Sequence, residues 1–130
     1  MNWLAGAQAA DGGFGDDYTV VEGTDPSLTA YVVHGVRSLQ ATETQSVISG
    51  CERYIATSQR SSGAWSAWFE AVDSIEGTAA ALRVLMASKD DHSSAIKKGL
   101  EYLDNTSDLQ DLENWIIVTL TYVAVGRAKT

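Results

Sequence analysis

Gln8-Ala-Ala-Asp-Gly-Gly-Phe14 and Gln59-Arg-Ser-Ser-Gly-Ala-Trp65 have one frame: Gln, then Gly four residues on, then an aromatic two residues later. The second copy begins 51 residues after the first. Trp3-Leu4 precedes the first Gln as Tyr54-Ile55 precedes the second, and Thr29-Ala30 follows the first copy as Thr78-Ala79 follows the second. Self-similarity at this period marks an array of supersecondary units. Each unit covers only part of its apolar face, and its neighbours cover the rest.

Outward from the two copies, the chain reads as helices. Asn2 to about Ala10 reads as the end of a helix, short beside its counterpart from about Thr44 to Gln59, so the chain is expected to begin part-way through a unit. Asp11-Gly-Gly-Phe-Gly15 is a turn, because paired glycines allow backbone angles closed to other residues. Asp25-Pro26 is a helix start: Asp accepts from free N–H groups and Pro suits the first helical position. Leu28, Tyr31, Val32, Val36 and Leu39 then recur at helical spacing, and Val47, Cys51, Tyr54 and Ile55 share the face of the next helix. A helix from about Ser74 to Ser88 carries Ile75, Ala79, Leu82 and Met86 on one side, with Asp73 and Ser74 as candidate caps. Ile96, Leu100 and Leu103 line another that starts near His92 or Ser93 and breaks at Asn105-Thr-Ser-Asp108. Leu109 to Val125 is apolar nearly all round, which implies burial on every side. Its β-branched residues also suit a buried strand, but length and helical context favour helix.

The 130 residues form one domain with enough chain for a core, and 45% are apolar. The net charge is −8, with acidic residues spread along the sequence. No basic stripe exists to neutralise phosphates, so nucleic acid is not an expected partner. The acidity reads as solubility. Asp16, Asp17 and Glu22 gather near Pro26, but their spacing fits no calcium loop and suits a solvated one. Cys51 is the single cysteine, read as a buried, inert thiol. His34 and His92 have no Cys or His partner at ligand spacing, which argues against a zinc site built from a local motif. No signal peptide and no membrane-spanning stretch are read, and a cytoplasmic location is expected.

The physics of the repeated frame is that of a clamp. A helix ends with unpaired carbonyls and the next begins with unpaired N–H groups. A Gln at the junction has a donor and an acceptor to offer, and the aromatic can cover its amide. Gln8, Gly12, Phe14, Gln59, Gly63 and Trp65 are therefore expected to hold the fold rather than to react.

This frame resembles the QW repeat of class II terpenoid cyclases, the squalene–hopene and oxidosqualene cyclase group. The Asp11-Gly-Gly-Phe-Gly15 turn is similar to that of protein prenyltransferase β subunits. The resembling residues, with Gly77 to Leu85, span about two-thirds of the chain. The resemblance implies an all-α fold of the α/α-toroid type. Three helical hairpins, at about residues 1–42, 43–90 and 91–130, would make half of an (α/α)6 barrel. It implies a long isoprenoid as ligand, no organic cofactor, and either the remaining toroid repeats or self-association to complete the ring.

In these families the reactive groups stand at the start of an inner helix. The cyclase pattern there is D-x-D-D-T-A, whose middle Asp protonates an alkene or epoxide; the prenyltransferase pattern is D-x-C-Y-S, whose Asp and Cys bind zinc. The matching stretch here is Asp25-Pro26-Ser27-Leu28-Thr29-Ala30. Ser27 stands where the acid or the thiol is needed, and a hydroxyl serves as neither. Asp25 has a sufficient role as a helix cap, a cavity-facing role being the other reading. In the second copy Glu76 falls at the acid position, where it is either a candidate acid or a first-turn residue favoured by the helix dipole. Ser27, Trp68 and Phe69 are candidates to line an isoprenoid cavity, though for the two aromatics a place in the core is the favoured reading. No metal ligands are assigned.

The expected function is a terpenoid cyclase- or prenyltransferase-like repeat domain that binds or cyclises a long isoprenoid and is not catalytic alone. One alternative is a non-catalytic binding or assembly module, since fold does not fix function. Another is a prenyltransferase-like protein lacking its zinc ligands.

Overall fold

The computed structural model describes residues 2–15, 23–37 and 42–106. Its elements in chain order are α1 (Asn2–Ala7), α2 (Pro26–Arg37), α3 (Thr42–Thr57), β1 (Trp65–Ala67), β2 (Glu70–Ser74), α4 (Ile75–Ala87) and α5 (Ser93–Thr106). Helix α2 packs on α4, α3 lies against both, α1 touches α3, and α5 lies against α4. Ala30, Val33 and Val36 of α2 meet Val47, Cys51 and Ile55 of α3 and Ala81, Leu82 and Leu85 of α4 in one core cluster. Full burial of the Val, Ile and Leu side chains among them stabilises by roughly 1.5–3 kcal/mol each. No helix among the described residues is long and apolar enough to cross a membrane.

Each Gln amide ties its own turn to the following unit. Gln8 Nε2 donates to Gly12 O at 2.8 Å and to Val47 O of α3 at 3.1 Å. Gln59 Nε2 donates to Gly63 O at 2.9 Å and to Ala95 O of α5 at 2.9 Å. The turns between match as well: Ala9 N reaches Gly13 O at 2.9 Å, and Arg60 N reaches Ala64 O at 2.8 Å. Gly12 and Gly63 have φ of +92° and +93°, and an added Cβ would stand 2.2 Å from Gly50 O or 2.5 Å from Lys98 O. Both copies then close on the next helix by one bond. Phe14 N donates to Thr29 Oγ1 and Trp65 N to Thr78 Oγ1, each at 2.9 Å. Both hydroxyls in turn donate one turn back, Thr29 to Asp25 O at 2.8 Å and Thr78 to Ser74 O at 2.6 Å. Trp65 is fully buried, its indole N–H on Ile55 O at 2.7 Å.

The expectation of an all-α toroid is corrected. Strands β1 and β2 form a two-stranded antiparallel sheet, with Trp65 opposite Ser74 and Ala67 opposite Glu70, so the architecture mixes helix with sheet. The two-residue connection Trp68-Phe69 has φ of +55° and +63°, the backbone pattern of a tight hairpin. Residues that usually announce such a turn, Asn and Gly, are missing from it. Arg60 and Asp73 pair at 2.7 Å, which leaves Ser74 to cap α4 by accepting from Gly77 N at 3.0 Å. Of the third unit, α5 is described and the Leu109–Val125 segment lies outside the described residues.

Replacing Gln59 by Ala is expected to destabilise the fold by about 2 kcal/mol, from two lost bonds to carbonyls. Gly63→Ala is expected to cost more than about 1 kcal/mol through its positive φ and the contact with Lys98 O. Urea unfolding monitored by circular dichroism measures both.

Candidate functional site

Asp25 is almost wholly buried, and its carboxylate is fully engaged. Oδ2 accepts from Leu28 N at 2.9 Å, capping α2, and also from the Ser27 hydroxyl in a very short bond. Oδ1 accepts from Phe69 N at 2.8 Å. Ser27 Oγ accepts from Trp68 N at 3.1 Å. These two side chains at the head of α2 thus hold both N–H groups of the strained hairpin turn. The cap was legible in the sequence; the grip on a turn more than forty residues away was not.

That turn presents Trp68 to solvent, 51% exposed, where its ring stacks on Tyr31 of α2 with centroids 5.8 Å apart. Glu76, in the first turn of α4, accepts from Tyr31 Oη at 2.9 Å and from Trp68 Nε1 at 3.1 Å. Glu76 is partly exposed, not in the buried setting that a proton donor to an alkene requires. Burial and the neighbouring Glu76 raise the Tyr31 phenol above its ordinary value. Burial, then the cations Arg83 and Arg37, lower His34, which stands three residues along α2.

Of the sequence candidates, Asp25, Ser27, Trp68, Phe69 and Glu76 thus come together at the heads of α2 and α4. Gln8, Gly12, Phe14, Gln59, Gly63 and Trp65 lie in the turn clamps. The Asp16, Asp17 and Glu22 cluster falls outside the described residues. Tyr31 was readable only as part of an apolar helix stripe, yet it is 43% exposed and pairs with Trp68. No spacing rule links residues 31, 68 and 76; the α2–α4 packing does.

A second group assembles where α4 ends. Glu52 of α3 meets Asp90 and His92 of the α4–α5 loop, with one ligating atom from each within 4.8 Å of the others. Cys51, the residue before Glu52, is buried in the core, its thiol pushed up to about 12, chiefly by burial. The chain has no match among protein-family models, curated proteins or solved structures.

Asp25→Ala is expected to cost roughly 3 kcal/mol, because it removes a cap and leaves the Phe69 N–H unpaired; urea titration reads this. The Cys51 thiol is expected to react with a disulfide reagent at mildly alkaline pH at least ~100-fold more slowly in the folded protein than in guanidinium. Absorbance of the released chromophore checks it.

Proposed function

We propose that this chain is a repeat module of the terpenoid cyclase and protein prenyltransferase kind that binds a long isoprenoid and leaves it chemically unchanged. The observation that carries this reading is the exposed Tyr31–Trp68 stack on its strained turn. Left-handed backbone at a bulky residue costs of order 1–3 kcal/mol and persists where the surroundings enforce it, often at ligand sites. Here two aromatics in succession adopt it, and Asp25 and Ser27 hold them there. An Asn-Gly turn would relieve the strain but would remove the rings. Two flat, partly exposed rings offer an apolar chain a surface to lie on.

Binding without conversion follows from the acids at hand. Asp25 is buried under three donors, and Ser27 stands at the position of the cyclase acid. Glu76 holds two donors on a partly exposed surface. None of the three is a free buried acid. The sequence has no Lys/Arg cluster for a diphosphate, so the hydrocarbon or its alcohol is the preferred ligand.

Titration of the protein with squalene and with geranylgeraniol, read by tryptophan fluorescence, is expected to saturate. Trp68→Ala should weaken binding at least tenfold, about 1.4 kcal/mol. The W68N/F69G double variant should gain about 1–2 kcal/mol of stability from the relieved backbone while losing the ligand. A wild-type protein that shows no saturable response to either compound refutes isoprenoid binding and leaves the assembly-module reading. Solution mass by light scattering then tests that reading.

A further inference from the structure

We infer that Glu52, Asp90 and His92 form a binding site for one divalent transition-metal ion of the zinc class. The three residues come from two separate stretches of chain, and their ligating atoms already lie within 4.8 Å of one another. Donors bound to one ion at about 2.0–2.2 Å stand roughly 3.5 Å apart in a tetrahedral site, so a small inward movement of these side chains closes the group on an ion.

The second observation is independent of that clustering. His92 Nε2 is shut off from water and has no hydrogen-bond partner. A buried polar atom left unpaired carries a free-energy penalty, and each such atom in a folded protein calls for an explanation. A metal ion bound through this nitrogen would supply one. His34 Nε2 shares the orphaned state but has no convergent carboxylates, which makes it the natural control.

The surroundings are those of a supported metal ligand. Arg37 binds Glu52 Oε1 at 3.0 Å and the Ser88 hydroxyl donates to Oε2 at 2.8 Å. A carboxylate has about four lone-pair positions, so both bonds leave room for a metal. Ligating carboxylates are commonly oriented by such hydrogen bonds. Ser88 Oγ also accepts from Asp90 N at 3.1 Å, tying the loop that carries Asp90 and His92 to Glu52. Two carboxylates and one neutral imidazole would hold the ion, with Arg37 offsetting one negative charge. A cavity of about 340 Å³ lined by Arg37, Thr44, Glu52, Lys89 and Asp90 adjoins the group and has space for a water as fourth ligand.

The donor set selects the class of ion. Calcium and magnesium prefer oxygen alone. One imidazole with two carboxylates and no thiolate suits zinc and its borderline neighbours. The site is remote from Tyr31 and Trp68, being past the far end of α4, a 13-residue helix about 20 Å long. Its test is therefore independent of isoprenoid binding.

Isothermal titration of the chelator-treated full chain with zinc chloride is the experiment, paired with thermal unfolding with and without the ion. One zinc per chain is expected, with a rise in Tm of at least about 4 °C and no rise with magnesium. His92→Gln and Asp90→Asn should each lower zinc affinity at least tenfold, and His34→Gln should leave it unchanged. Should a variant fail to fold, cobalt(II) absorption of the wild-type protein decides: visible d–d bands of a low-symmetry site support the proposal, and the spectrum of hexaaqua cobalt overturns it. No zinc heat and no change in Tm also overturn it, as does zinc binding that survives both His92→Gln and Asp90→Asn.

Discussion

The structure depends on how the carbonyls at helix junctions find donors. A side-chain amide has two N–H bonds in one plane, so a single Gln can bind two carbonyls at once. Gln8 and Gln59 each direct one to the turn that follows and one to a helix of the next unit. The turn and the neighbour are thereby fixed by the same nitrogen. A shorter side chain would not reach both, and a carboxylate would face two carbonyls with no proton to share. The glycine four residues on is bound to the same geometry. Its backbone passes so close to α3 in the first copy and α5 in the second that the contact leaves no space for a methyl group.

What the clamp leaves free is the loop it closes. The bond from Phe14 N to Thr29 Oγ1 spans fifteen residues, and that from Trp65 N to Thr78 Oγ1 spans thirteen. The ends of the two loops match in their hydrogen bonding. The second is folded as the β1–β2 hairpin. The clamp fastens the ends of the second loop, and the unusual backbone lies between them, at Trp68-Phe69.

Most of the helical framework was legible because its signals are local. Asp25-Pro26 announces α2, the apolar spacing of Val47, Cys51 and Tyr54 announces α3, and the Gln-Gly-aromatic frame announces both turns. The hairpin was not legible, because Trp68-Phe69 lacks turn chemistry and its conformation is imposed from Asp25 and Ser27. The all-α reading failed at that point. Tyr31 looked like core because helical spacing marks a stripe without saying which edge of it is covered. Glu52, Asp90 and His92 were invisible as a group for a simpler reason. A metal motif read from sequence needs ligands at short spacing, and α4 intervenes here between the first ligand and the other two.

The divergence of the two copies is itself informative. Counting from the matched threonines, Asp25 corresponds to Ser74 and Ser27 to Glu76. Asp25 and Ser74 have the same role, since each caps its helix by accepting from an N–H three residues on. Ser27 and Glu76 differ in role but share a target. Ser27 accepts from the backbone N–H of Trp68, and Glu76 accepts from its indole N–H, both at 3.1 Å. One tryptophan is therefore held by the equivalent position of two successive units, once through its main chain and once through its ring. Such a grip cannot be made by one unit alone, because the two acceptors stand on different helices and meet only when α2 lies beside α4. The position of the Trp68 ring thus reports on the packing between units, and any ligand that displaces the ring must work against that packing.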